Sequence, residues 1–86
     1  SGYMARLDAL VSQLEYEQAM AVRQYKEIHD RIHQMQDGAE KEVLIRRYLM
    51  GKAWEQIAVD MDYNYRWVLR LHGRALKNFE ISEISH

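Results

Sequence analysis

The sequence predicts an all-α chain in which one long N-terminal helix precedes a three-helix domain built on a helix-turn-helix. Three observations carry this. Proline is absent, and between Gly2 and Gly38 there is no glycine, so nothing interrupts a helix there. The same stretch is rich in Ala, Leu, Gln, Glu, Arg and Met, all good helix formers. From Trp54 to Gly73, WEQIAVDMDYNYRWVLRLHG, apolar residues recur at helical spacing on both sides of a polar interruption, Asp62-Tyr63-Asn64.

The first element is a helix over residues 3–37, about 48 Å long across its seam at 1.5 Å per residue. With position a at Met4, Val11, Gln18, Tyr25 and Ile32, and position d at Leu7, Leu14, Ala21, Ile28 and Met35, only Gln18 breaks an apolar seam. Such a seam predicts coiled-coil or antiparallel helical packing, with a homodimer as the expected assembly and Gln18 able to fix register against another Gln18. Leu10 and Val22 widen the stripe, which also suits a bundle or packing on the chain's own C-terminal helices. His29 and His33 stand at i, i+4, yet no further ligand completes a metal site, so they read as surface histidines. Glu15 and Glu17 are two apart and do not face each other on a helix, which makes them solubilising charge.

Gln36-Asp37-Gly38 should end this helix, with Gly38 as its left-handed terminator. A second helix is expected over about Ala39 to Met50, burying Val43, Leu44, Tyr48 and Leu49, with Glu40, Lys41, Arg46 and Arg47 outside. Gly51-Lys52 stops it, and the next helix, Ala53 to Met61, is pinned by Trp54 to the one before. In the helix-turn-helix itself, Ile57, Ala58, Met61, Val68 and Leu71 are the inward positions, and the small Ala58 permits a close crossing. The tight turn asks for a left-handed backbone at Asp62, a conformation that Asp tolerates better than most residues, and Asn64 is a good N-cap. In the last helix, residues 65–79, Val68, Leu71, Ala75 and Phe79 fall on the buried side with Leu76 at its edge. Tyr65, Arg66, Leu69, Arg70, Gly73 and Lys77 fall opposite, and Trp67 lies near the boundary. Gly73 lets the helix lie close to another surface, and residues 80–86 read as a frayed tail.

The run LIRRYLMGKAWEQIAVDMDYNYRWVLRLHGRAL, within residues 40–79, resembles region 4 of sigma-70-type RNA polymerase sigma factors. It looks similar to the small phage and prophage regulators built on that domain. The likeness rests on Arg47-Tyr48 before Gly51, the Trp54-Glu55-Gln56-Ile57-Ala58 helix and the Leu71-His72-Gly73-Arg74-Ala75-Leu76 end. It implies a domain over residues 39–79 whose last helix enters the DNA major groove, with Tyr65, Arg66, Leu69 and Arg70 as base readers. Arg suits guanine, because its fork meets O6 and N7 together. Leu69 departs from the pattern, where a polar or basic residue is usual, and would meet either a thymine methyl or a protein.

Composition bounds the function. Eighty-six residues make one small domain for which a partner or a second copy is reasonable. Without cysteine there is no disulfide frame, thiolate zinc site or cysteine nucleophile, which fits a reducing cytoplasm. No apolar run is long enough for a membrane span and no signal-peptide pattern opens the chain. Ser1-Gly2 reads as the remnant of a cleaved tag, with Met4 a candidate native start. Net charge is −1, but residues 62–79 hold Arg66, Arg70, Arg74 and Lys77 against Asp62 alone, whereas acids outnumber bases in residues 1–38. Local concentration of charge matters more than the sum for a polyanionic ligand. Two classes of function follow. The first is a cytoplasmic DNA-binding transcription regulator that takes double-stranded DNA through Asn64, Tyr65, Arg66, Leu69, Arg70, Arg74 and Lys77, acting on or with host RNA polymerase as the resemblance implies. The second is a protein-interaction module that grips a protein partner without reading DNA. No nucleophile with a base, phosphate loop or metal constellation points to an enzyme, a cofactor or a small-molecule substrate.

Overall fold

A computed structural model describes the backbone of residues 1–84 and the side chains of residues 1–81. Its regular structure is entirely helical. Among the described residues there are four α-helices, α1 (Gly2–His33), α2 (Ala39–Leu44), α3 (Trp54–Met61) and α4 (Tyr65–Ile84), with a π-helical turn over Ile45–Leu49 continuing α2. None of the described helices is long and apolar enough to cross a membrane. The chain divides into two compact units, Ser1–Asp30 and Arg31–His86.

The first unit is a single helical stretch, and a lone helix buries nothing against itself. Its seam residues Met4, Leu7, Val11 and Leu14 are all exposed. Polar side chains stitch its surface locally, with Gln13 Nε2 donating to Glu17 Oε1 at 3.2 Å and His29 Nδ1 lying 3.1 Å from Asp30 Oδ1.

Among the described residues, every buried side chain lies in the second unit. α1 enters it with Ile32, which is 2% exposed and packs with Leu44 and Ala75, flanked by Met35, Ile45, Leu49 and Phe79. The helix stops at His33, four residues before the sequence expectation. The N–H groups of Gln34 and Met35 bond back to the carbonyls of Arg31 and Ile32 at 3.2 and 3.0 Å, a tightened last turn that brings Met35 round beside Ile32. Lys41 Nζ closes this end by donating to the His33 carbonyl at 3.1 Å and to Asp37 Oδ1 at 2.8 Å. Gly38 is not the terminator of α1. It precedes α2 with φ 157 and ψ −174, a region open essentially to glycine alone, and its carbonyl receives the Glu42 N–H that opens α2.

The π-helical turn changes which side chains of the second helix go inward. Met50 N–H reaches back five residues to the Ile45 carbonyl at 3.0 Å, so Ile45 and Leu49 join Leu44 at the core. Tyr48, expected in the buried stripe, is instead 46% exposed. Gly51, at φ 69, then turns the chain, and Lys52 N–H bonds to the Arg46 carbonyl at 3.0 Å.

Between α3 and α4 the turn forms as its residues specify. Asp62 takes φ 57 and ψ 41, its N–H bonds to the Val59 carbonyl, and Tyr63 N–H bonds to that of Ala58 at 3.0 Å, which is the paired pattern of a Schellman ending. Asn64 Oδ1 accepts the Trp67 N–H at 2.8 Å, capping α4. A second cluster, Ile57, Ala58 and Val68 with Trp54 and Met61 around it, seals the crossing of α3 on α4. α4 serves both clusters, through Val68 in one and Ala75 in the other, with Leu71 buried between them. It also runs on through Ile84, where a frayed tail was expected from Glu80. Residues 80–84 contain neither Gly nor Pro to stop it. Ser85 and His86, the end of that expected tail, lie outside the described residues.

Ala58 is only 8% exposed against Val68, so Ala58→Leu should overpack the crossing and cost about 1–3 kcal/mol. Thermal or denaturant melting of the variant checks this, and a melt unchanged from the parent would remove the close crossing.

Candidate nucleic-acid interface

At about 100° per residue, the buried positions Val68, Leu71 and Ala75 define one side of α4. The side directly opposite is centred on Arg66, Arg70, Gly73 and Lys77, all exposed. Leu69 and Tyr65 flank it on one edge, 39% and 44% exposed, and Arg74 and Trp67 on the other. Asn64, Tyr65, Arg66, Trp67 and Arg70 together line an open concavity of about 500 Å³ at the start of the helix. The seven residues singled out in the sequence thus share the exposed surface of one helix and its cap, though not equivalently. The Asn64 side-chain oxygen is engaged in the cap. The Arg74 guanidinium sits 5.3 Å over the Trp67 ring, so half-buried Trp67 fixes a cation at the flank of the face. At Gly73 an added Cβ would meet nothing within 4 Å among the described residues beyond its chain neighbours and its own helix backbone, so no described element packs closely on this glycine.

The charges separate into two groups. On α2, the π-helical turn and the loop before α3, the cations are engaged. Lys41 pairs with Asp37 at 2.8 Å, and Arg46 with Glu42 and Asp60 at 3.3 and 3.4 Å. Lys52 pairs with Asp60 at 2.6 Å. Arg47 donates to the Lys52 carbonyl at 2.9 Å and lies 4.5 Å over the Trp54 ring. Arg46 and Arg47, which the sequence pattern puts outside the buried stripe, are thus both occupied by the chain itself. Asp60 gathers Lys52, Gln56 and Arg46, and the hydrogen bond from Lys52 first, then that from Gln56, holds its carboxyl below the usual range. On α4, by contrast, Arg66, Arg70 and Lys77 make no ion pair among the described residues, and residues 65–79 contain no acid.

One polar cluster was not legible in the sequence. Tyr48 Oη lies 2.7 Å from His72 Nε2, and the Trp54 ring meets the His72 ring edge-on at 4.5 Å. Burial, with the nearby Arg47 charge adding to it, lowers the His72 pKa below its ordinary 6.5. A neutral ring shares one hydrogen bond with the Tyr48 hydroxyl through Nε2, and the ring tautomer sets which of the two donates. The π-helical turn delivers Tyr48 to this position, and no spacing rule in the sequence signals that turn.

No family model matches the chain, and no curated protein or solved structure matches it either.

The lowered His72 pKa fixes a direction for stability against pH. The unfolded chain takes up a proton near 6.5 while the folded one resists it, so this contribution is fully present above pH 6.5 and is lost as pH falls through the folded value. Melting temperatures measured between about pH 7.5 and pH 5 should fall for the parent, and the fall should shrink in His72→Gln, which cannot titrate.

Proposed function

We propose that the chain is a DNA-binding transcription regulator whose α3, turn and α4 form a helix-turn-helix of the sigma region 4 type, with α4 laid in the major groove. The observation that carries this is the unpaired state of Arg66, Arg70 and Lys77 on one face of α4 that holds no acid from Tyr65 to Phe79, with Glu80 the first acid on it, in a unit whose ion-paired cations lie elsewhere. Unpaired cations aligned along a rigid helix suit a polyanion, whose condensed counterions they displace. Arg66 and Arg70 lie one turn apart near the capped end, within reach of base edges, and Lys77 lies two turns beyond Arg70, suited to sugar-phosphate. The chain's role with RNA polymerase, and a phage or prophage origin, rest on the sequence resemblance alone.

Exposed Leu69 and Tyr65 favour a second reading, in which the same face binds a protein. Salt separates the two. If the face reads DNA, Arg70→Ala should lose about 1–3 kcal/mol on the preferred site and relax choice at one base pair. Lys77→Ala should weaken all sequences alike and make the slope of log affinity against log salt shallower by about one unit per chain. Both variants should keep the parent's melting behaviour, since both side chains are exposed. Genomic fragments titrated against salt provide the measurement. A parent without salt-dependent DNA binding, whose capture of a protein partner is abolished by Arg70→Ala, would transfer the function to the protein-binding reading.

Gly73 supplies an independent check. In a helix interior Ala is favoured over Gly by about 1 kcal/mol, and here its methyl meets nothing. Gly73→Ala should therefore raise the melting temperature while weakening DNA binding, because the added methyl stands at the centre of the face that approaches the duplex. Equal affinity in this variant would place the duplex away from Gly73.

A further inference from the structure

The apolar seam of α1 finds no cover within its own unit. In Ser1–Asp30, the side chains of Met4, Leu7, Val11, Leu14, Tyr25 and Ile28 are each 44% to 66% exposed. Ile32, the next seam position, is buried against Leu44 and Ala75, and Met35 lies beyond the end of the helix, so the seam open to a partner closes at Ile28. We propose that this seam joins two copies of the chain as a parallel, in-register, two-stranded coiled coil, with Gln18 of one copy facing Gln18 of the other.

The area is sufficient. At roughly 100 Å² of exposed side chain each, the six residues offer about 600 Å² per chain and about 1,200 Å² across a pair, the lower edge of what stable interfaces bury, before Leu10, Ala21 and Val22 are added. A second copy is the occupant that matches the pattern, because a heptad seam presents to its own duplicate the same spacing of knobs and holes.

Orientation follows from the polar residues. In the parallel arrangement Gln18 meets an identical amide that can both give and accept a hydrogen bond, whereas every antiparallel register sets it against an apolar side chain, where it loses its partner. Flanking charge agrees. In parallel pairing Leu10 lies beside Glu15 of the second copy and Glu17 beside Val22, with no like charges opposed. The antiparallel register that covers the whole seam from Met4 to Ile28 sets Glu15 against Glu15 and Glu17 against Glu17. Registers shifted by a heptad avoid those two contacts only by leaving one end of the seam bare. Like charges so placed disfavour a pairing in coiled coils.

The chain has no cysteine, so single cysteines report the pairing directly. The parent at micromolar concentration should sediment at twice the monomer mass. Leu7→Cys should link into a disulfide dimer on mild oxidation, while Tyr16→Cys, on the outer side of the helix, should stay unlinked. In the antiparallel register Leu7 lies opposite Tyr25, about 27 Å along the helix from the other Leu7 at 1.5 Å per residue. A mixture of Leu7→Cys and Tyr25→Cys chains that links crosswise, and not like to like, overturns the orientation. A parent that sediments as a monomer overturns the assembly, as does a dimer in which neither seam variant links. DNA takes no part in these measurements, so their failure leaves the α4 reading standing, and the failure of that reading leaves the assembly standing.

Discussion

Burial of one stripe along α4 is the constraint on which the second unit depends. Val68 and Ala75 belong to separate clusters, and Leu71 joins them along a single helix face. α4 therefore cannot rotate about its axis without opening both clusters at once. Burying side chains such as Val68 and Leu71 is worth about 1.5–3 kcal/mol each, so a rotation that exposed the stripe would forfeit several kcal/mol in a domain that has few to lose. Holding the inner face fixed also fixes the outer one. Arg66, Arg70, Gly73 and Lys77 are presented outward because Val68, Leu71 and Ala75 are held inward.

The ends of α4's N-terminal approach are set with equal strictness by smaller contacts. The left-handed Asp62, the two backbone bonds of the Schellman ending and the Asn64 cap leave the first turn of α4 with little freedom. A binding surface made of long, mobile arginines gains from that rigidity, because ordering then falls only on the side chains.

Charge on this chain is arranged by pairing more than by number. Asp60 draws Lys52 and Arg46 together across the turn that joins the π-helical segment to α3, and Asp37 holds Lys41 at the end of α1. Exposed pairs of this kind contribute about 0–1 kcal/mol each. Their larger consequence is electrostatic. They offset the charges of Lys41, Arg46 and Lys52, whereas Arg66, Arg70 and Lys77 of α4 make no ion pair among the described residues, although the net charge of the whole chain is −1.

Much of this was legible in the sequence because its causes are local. The long helix, the stop at Gly51, the left-handed Asp62, the Asn64 cap and the two faces of α4 follow from backbone chemistry and a period of 3.6 residues, which act within a few positions of each residue. What the sequence could not show depends on contacts between distant residues. α1 ends at His33, next to Ile32, which packs on Leu44 and Ala75, twelve and forty-three positions away. A helical period gives no sign of the π-helical turn that leaves Ile45 and Leu49 beside Leu44 and Tyr48 beside His72. The same holds for charge. Four cations on α4 can be counted in the sequence, but which basic residues of the second unit stay unpaired is decided only when the fold brings Asp60 to Arg46 and Lys52, because ion pairing depends on distance in space.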